Sequence, residues 1–150
     1  MNQLYGRLCF VTYITNSYAS CIFERRRAVC KGYERIDWFR RMPLVFWNGD
    51  SGNGFEVTGC LSASEAYDEL YNSLYELIIS DIMMPEIDGF EFAETIRRAN
   101  KTIPILFMSA KDHLPSKQLG FKLGIDDYMV KSVEFEELHL RVRALLRRAN

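Results

Sequence analysis

Three polar residues each close a short apolar run: Asp81 after Leu77-Ile78-Ile79-Ser80, Ser109 after Ile105-Leu106-Phe107-Met108, and Lys131 after Tyr128-Met129-Val130. If these runs are neighbouring strands of a parallel sheet, their carboxyl ends open on one crevice, which is where such sheets bind ligands. A carboxylate, a hydroxyl and an ammonium meeting there can accept a phosphoryl group. The carboxylate attacks phosphorus, the ammonium neutralises the developing charge, and the hydroxyl hydrogen-bonds a phosphoryl oxygen. Taken singly, an aspartate or serine after a strand is more often a helix cap or turn former, so only the trio together points to this chemistry.

The elements that must position this trio are legible from residue 55 onward. Residues 55–60 alternate as a short strand, and Ser62 or Ser64 caps a helix with Ala66, Leu70 and Leu74 on one stripe. A continuous apolar strand over 75–80 ends in Asp81, and Asp88-Gly89 turns the chain into a helix with Phe92, Ala93 and Ile96 inward. A buried strand over 104–108 ends at Ser109-Ala110. A helix over 114–123 stops at Gly124, the strand at 128–130 ends at Lys131, and the last helix, over 134–148, runs through Phe135, Leu138, Val142 and Leu145. Alternation of this kind with fully apolar strands predicts an α/β fold with a parallel sheet covered on both faces.

The chain has 150 residues, 48 % of them apolar, and a formal charge of −1, so it holds one ordinary core and no global field that draws it to nucleic acid or an anionic membrane. No window carries eighteen uncharged apolar residues, and the first fifteen residues lack the organisation of an export signal, which predicts a cytoplasmic protein with no membrane partner. Cys9, Cys21, Cys30 and Cys60 have neither CxxC spacing nor a histidine at ligand distance, which predicts reduced thiols. His113 and His139 are expected at the surface, and Arg25-Arg26-Arg27 on a solvated face. Charge divides unevenly: residues 1–54 hold eight basic and four acidic residues, a net +4 that leaves −5 for residues 55–150. The expected organisation is an atypical segment over 1–54 and a partial phosphoacceptor domain over 55–150.

The segment Asp81-Ile82-Met83-Met84-Pro85-Glu86-Ile87-Asp88-Gly89-Phe90, then Met108-Ser109-Ala110-Lys111, then Gly124-Ile125-Asp126-Asp127-Tyr128-Met129-Val130-Lys131, closely resembles the receiver domain of bacterial two-component response regulators. Lys131 lies twenty-two positions after Ser109, as in that family. The resemblance implies a doubly wound, flavodoxin-like sheet of order 2-1-3-4-5. It further implies that Asp81 is the phosphoacceptor, Ser109 the switch hydroxyl, Tyr128 the aromatic that turns inward with it, and Lys131 the phosphoryl counter-ion. Met83 would offer its backbone carbonyl to Mg²⁺. The implied donor is a sensor histidine kinase, and the implied role is a signalling switch in transcription regulation rather than an enzyme. A haloacid-type hydrolase would want a second carboxylate two residues after the aspartate, where Met83 stands.

Mg²⁺ usually takes one or two carboxylates besides water and phosphate, and the family supplies an acidic pair at the end of its first strand. This sequence departs there. Asp37 falls at the family's spacing of about 44 residues before the acceptor, within a βαβ unit's reach, but its surroundings are not an apolar strand. A strand over 44–47 leaves too short a crossover to the strand at 55–60. A strand over 8–15, followed by an overlong helix over 20–41, ends in Thr15 and Asn16 with no carboxylate. A rearranged or frame-shifted start, with the usual first strand and helix atypical or missing, accounts for all three, and weakened Mg²⁺ binding is expected. Ser132 stands where the family commonly has proline, which removes the low-cost cis bond. The alternative function is an interaction module, or a non-functional truncated receiver, that ignores phosphorylation for want of the acidic pair.

Members resembling this chain usually carry a winged-helix DNA-binding domain after the last receiver helix. This chain ends at Asn150, so no such domain is expected in it. Homodimerisation is expected through the family's face of fourth helix, fifth strand and fifth helix. Lys117 would pair there with Glu137, and Asp127 with Arg141, of a second copy, although ordinary surface charges fit the same positions.

Overall fold

The computed structural model describes residues 7–11, 22–24, 27–29, 56–60, 62–84, 86–110, 112–131 and 134–149. Its strands are β1 (Arg7–Val11), β2 (Ile22–Glu24), β3 (Arg27–Val29), β4 (Glu56–Cys60), β5 (Leu77–Asp81), β6 (Ile105–Ser109) and β7 (Asp127–Val130). The helices are α1 (Ala63–Asn72), α2 (Gly89–Ala99), α3 (Leu114–Lys122) and α4 (Phe135–Ala149). Five strands form one parallel sheet in the order β4-β1-β5-β6-β7, which is the expected 2-1-3-4-5 arrangement.

Of the three candidate first strands, the one near the amino terminus takes the place. It is shorter than the expected 8–15: β1 ends at Val11 among the described residues and pairs with β4 (Val11 opposite Cys60) and β5 (Val11 opposite Ser80). The segments around Ile36 and over 44–47 lie outside the described residues. The expectation of an overlong helix over 20–41 is overturned. Residues 22–24 and 27–29 instead pair antiparallel, Ile22 opposite Val29, and this hairpin packs against β4 at the sheet edge. A two-residue connection inside that span forces the chain back on itself, which a helix cannot accommodate.

β5 and β6 are buried along their whole length, as a sheet covered on both faces requires. Phe92, Phe107, Leu8, Ile78 and Ile105 are fully buried, and Phe107 sits between Phe90 and Tyr128 with ring centroids 5.6 and 6.4 Å away. Such edge-to-face packing adds to the area term for each ring. Ser62, of the two candidate caps, accepts from the Glu65 N–H at 3.2 Å. Leu74 does not join the α1 stripe: extended Ser73 ends the helix, the 3.6-residue period stops, and Leu74 is 87 % exposed. Gly124, at φ 94°, stops α3 through bonds from its own N–H to Phe121 O (3.1 Å) and from Ile125 N–H to Gly120 O (3.2 Å). α4 carries Glu136 and Glu137 in its first turn and Arg147 and Arg148 in its last, each complementing the helix dipole.

The end of the sheet opposite the trio is bolted by Arg97 of α2, which nothing in the sequence singles out. Its Nε donates to Gly124 O (2.8 Å), one terminal nitrogen to Ile103 O (2.6 Å) and the other to Asp126 Oδ2 (2.8 Å). Asp126 Oδ2 also accepts from the Ile105 N–H at 2.8 Å, so one guanidinium ties α2 to the starts of β6 and β7. Burial lowers the Arg97 pKa, against the raising effect of Asp126. Arg97→Ala takes this donor from Gly124 O and Ile103 O, leaves Asp126 only the Ile105 N–H, and is expected to cost about 2–3 kcal/mol, read as a lowered midpoint in urea at unchanged slope.

His113 and His139 divide. His113 precedes α3 and is exposed, as expected, whereas His139 in α4 is partly buried, and desolvation followed by the Arg143 charge lowers its pKa. Burial wins there because Leu138 and Val142 on the same helix pack into the core.

Candidate functional site

The register brings the trio to one rim. Asp81 lies opposite Met108 and Ser109 opposite Val130, so the first residue past β7 stands beside the end of β6, where the Lys131 N–H donates to Ser109 O at 2.8 Å. Asp81 belongs to β5, two strands from Lys131, a gap of roughly 10 Å at the usual strand spacing. Only a long side chain closes it. Lys131 crosses the end of β6, where the residue is a short serine, and its Nζ forms an ion pair with Asp81 Oδ2.

Burial and hydrogen bonding define the aspartate further. Its side chain is 6 % exposed, and Oδ1 accepts from the Met83 N–H at 3.1 Å. The chain after β5 turns back at once: Gly89 N–H donates to Ile82 O at 2.8 Å and Asp88 Oδ1 caps α2 through the Glu91 N–H at 3.0 Å. This return presses Gly89 against the backbone of Asp81 and Ile82. A Cβ built there would stand 2.4 Å from Asp81 O and 2.7 Å from Ile82 Cα, so only glycine fits. The Asp-Gly pair in the sequence signals the turn, but not that contact.

Ser109 is fully buried and Tyr128 is 8 % exposed. Burial raises the Tyr128 pKa, opposed first by a hydrogen bond with the Ser109 side chain and then by the Lys117 charge. The Ser109 hydroxyl and the Tyr128 side chain are therefore in contact. Lys117 Nζ lies 5.9 Å from the Tyr128 ring centroid and pairs with Asp112 at 2.5 Å. Asp112 is absent from the residues picked out by sequence, where its only signal is an acid five residues before Lys117.

The four charges expected at a dimer face are thus engaged within one copy. Lys117 holds Asp112, while Arg141 binds both oxygens of Asp127 at 2.8–2.9 Å and Glu137 Oε1 at 2.7–2.8 Å. These bonds raise the Arg141 pKa, the Asp127 bond most.

For Mg²⁺, the described residues offer the Asp81 carboxylate and the region of Met83, whose side chain is 58 % exposed. Among the described residues no group of three His, Cys, Asp or Glu could hold a metal ion, and Asp37 lies outside them. One carboxylate shared with an ammonium, with no second acid among the described residues beside it, is a poor match for an octahedral cation.

A parallel sheet whose central strand ends in a buried, lysine-paired aspartate, with a hydroxyl on the next strand, defines an α/β protein with a polar site at the carboxyl rim of its sheet. The chain belongs to the response regulator receiver domain family, whose model matches residues 49–143. It is 40 % identical over 97 residues to the transcriptional regulatory protein BasR of Escherichia coli K12, covering 65 % of this chain and 44 % of that protein. It is 36 % identical over 124 residues to the transcriptional regulatory protein RprY of Bacteroides fragilis YCH46, covering 75 % and 52 %. The chain thus spans about half the length of these curated relatives. Its fold matches the CheY-like receiver domain protein of Methanospirillum hungatei JF-1 with a TM-score of 0.72 at 17 % identity, covering 98 % and 97 % of the two chains. It likewise matches the receiver domain of the Francisella response regulator 1452, with a TM-score of 0.68 at 23 % identity, over 97 % and 99 %. The family match begins at residue 49, yet β1, which completes the sheet, comes from residues 7–11. Among the described residues no helix is long and apolar enough to cross a membrane.

Proposed function

We propose that this chain is the phosphoacceptor switch of a two-component system, working in the cytoplasm in transcription regulation. The observation that carries the reading is the meeting of Asp81, Ser109 and Lys131 at the carboxyl rim. An Asp81 carboxylate oxygen attacks the phosphorus of a kinase phosphohistidine whose other ring nitrogen carries a proton taken from solvent, the P–N bond breaks with its electron pair going to nitrogen, and neutral imidazole leaves. Lys131 faces the anionic phosphoryl group and Ser109 donates to one of its oxygens. Drawing Ser109 towards the phosphoryl group disturbs its contact with Tyr128, and that contact links the site to Lys117 on α3. Residues 55–150 carry all of these groups.

Lys131→Ala is expected to slow labelling by acetyl phosphate about 10²–10³-fold, the usual cost of losing one preorganised charge partner. Far-UV circular dichroism is expected to stay unchanged, and labelling at the parent rate would remove Lys131 from the role.

Homodimerisation belongs to the same reading. Leu114, Leu119 and Phe121 of α3 and Leu140 of α4 are exposed apolar side chains on the elements that flank β7. Phosphorylation is expected to favour exchange of the internal pairs of Lys117 and Arg141 for pairs between copies. Sedimentation velocity is expected to show association with beryllofluoride and its loss on Arg141→Glu; a monomer under all conditions would refute it.

A further inference from the structure

We infer that the Asp81 site is neutralised from within, by Lys131, and does not use a divalent cation as its resting counter-ion. Asp81 Oδ2 carries the Lys131 ammonium and Oδ1 the Met83 N–H, so a cation entering the site must share the carboxylate with both and meet the repulsion of the ammonium. The strand beside Asp81 brings no second acid: β1 ends at Val11, opposite Ser80, and the sequence from Thr12 to Phe23 contains no Asp or Glu. The first acid after β1 is Glu24, at the end of the hairpin strand β2, which packs against β4 at the sheet edge. Mg²⁺ loses water reluctantly, and a single 6 %-exposed carboxylate shared with an ammonium offers it little in return. The charge of Asp81 is balanced without it. This deepens the phosphoacceptor reading by specifying which cation serves the site, and rests on it only for what phosphoryl capture then requires.

The test is a calorimetric titration of the full chain with MgCl₂, repeated with Mn²⁺ followed by electron paramagnetic resonance. No saturable binding is expected below about 10 mM, with the same result for Asp81→Asn. Thr12→Asp and the double variant Thr12→Asp/Tyr13→Asp, which restore acids directly after β1, are expected to gain at least about tenfold in affinity. Millimolar or tighter binding by the parent, lost in Asp81→Asn, would overturn the inference. So would folded Thr12→Asp and double variants that gain nothing.

Acetyl phosphate labelling, run with Mg²⁺ and with EDTA, separates the two readings. Comparable labelling in both supports the inference. Labelling that requires Mg²⁺ overturns the inference and leaves the phosphoacceptor function standing. No labelling in either, with no metal bound, removes the function and leaves the neutralised site.

Discussion

Asp81→Asn is expected to reduce phosphoryl incorporation from acetyl phosphate or a histidine kinase to background. The amide oxygen lacks the charge and the nucleophilicity of a carboxylate, and no acyl phosphate forms on it. The substitution is nearly isosteric, and the new side chain would still accept the Met83 N–H through its carbonyl oxygen, so the loop after β5 keeps its anchor. What changes is the pairing with Lys131. An ammonium 21 % exposed then faces a neutral amide and turns towards water, which is cheap for a long side chain. The expected signature is complete loss of acid-labile, hydroxylamine-sensitive label with a melting temperature shifted by only a few degrees. Retained labelling at the parent rate would take the acceptor role from Asp81.

Gly89→Ala is expected to be the most damaging glycine-to-alanine change among the described residues. Its Cβ would meet Asp81 O at 2.4 Å and Ile82 Cα at 2.7 Å, both backbone atoms that cannot swing aside. Relief requires α2 to move off the end of β5. That strains the Gly89 N–H to Ile82 O bond and withdraws Phe92, Ala93 and Ile96, which α2 buries. Overpacking alone costs about 1–3 kcal/mol, and a rigid backbone contact belongs at or above the top of that range. Urea unfolding is expected to show a loss of about 3 kcal/mol or more. Because the carbonyl under strain is that of Asp81 itself, labelling by acetyl phosphate is expected to fall as well. An alanine variant of parental stability would show that α2 and β5 are less tightly joined.

Much of this molecule was legible along the chain. Strands β5, β6 and β7 stand out because a parallel strand covered on both faces must be apolar throughout, and Leu77-Ile78-Ile79 and Ile105-Leu106-Phe107-Met108 are. Where each run stops, a polar residue must face the crevice, which is why Asp81, Ser109 and Lys131 could be picked out by position. The caps at Ser62 and Asp88 and the stop at Gly124 are local devices, readable within a few residues. The tertiary structure alone decided the rest. Three segments before residue 55 were possible first strands, each with a local objection of its own, and none of those objections selects the right one: a strand is chosen by its partners, and those of β1 lie about fifty and seventy residues away at Val57 and Leu77. The same distance hides Arg97, whose acceptors at Ile103, Gly124 and Asp126 meet only when α2 lies beside β6 and β7. Charged partners are decided last. Lys117 could take Glu137 or Asp112, and Arg141 could hold its own Asp127 or a neighbour's, because Coulomb attraction is set by distance in space and the sequence lists only distance along the chain.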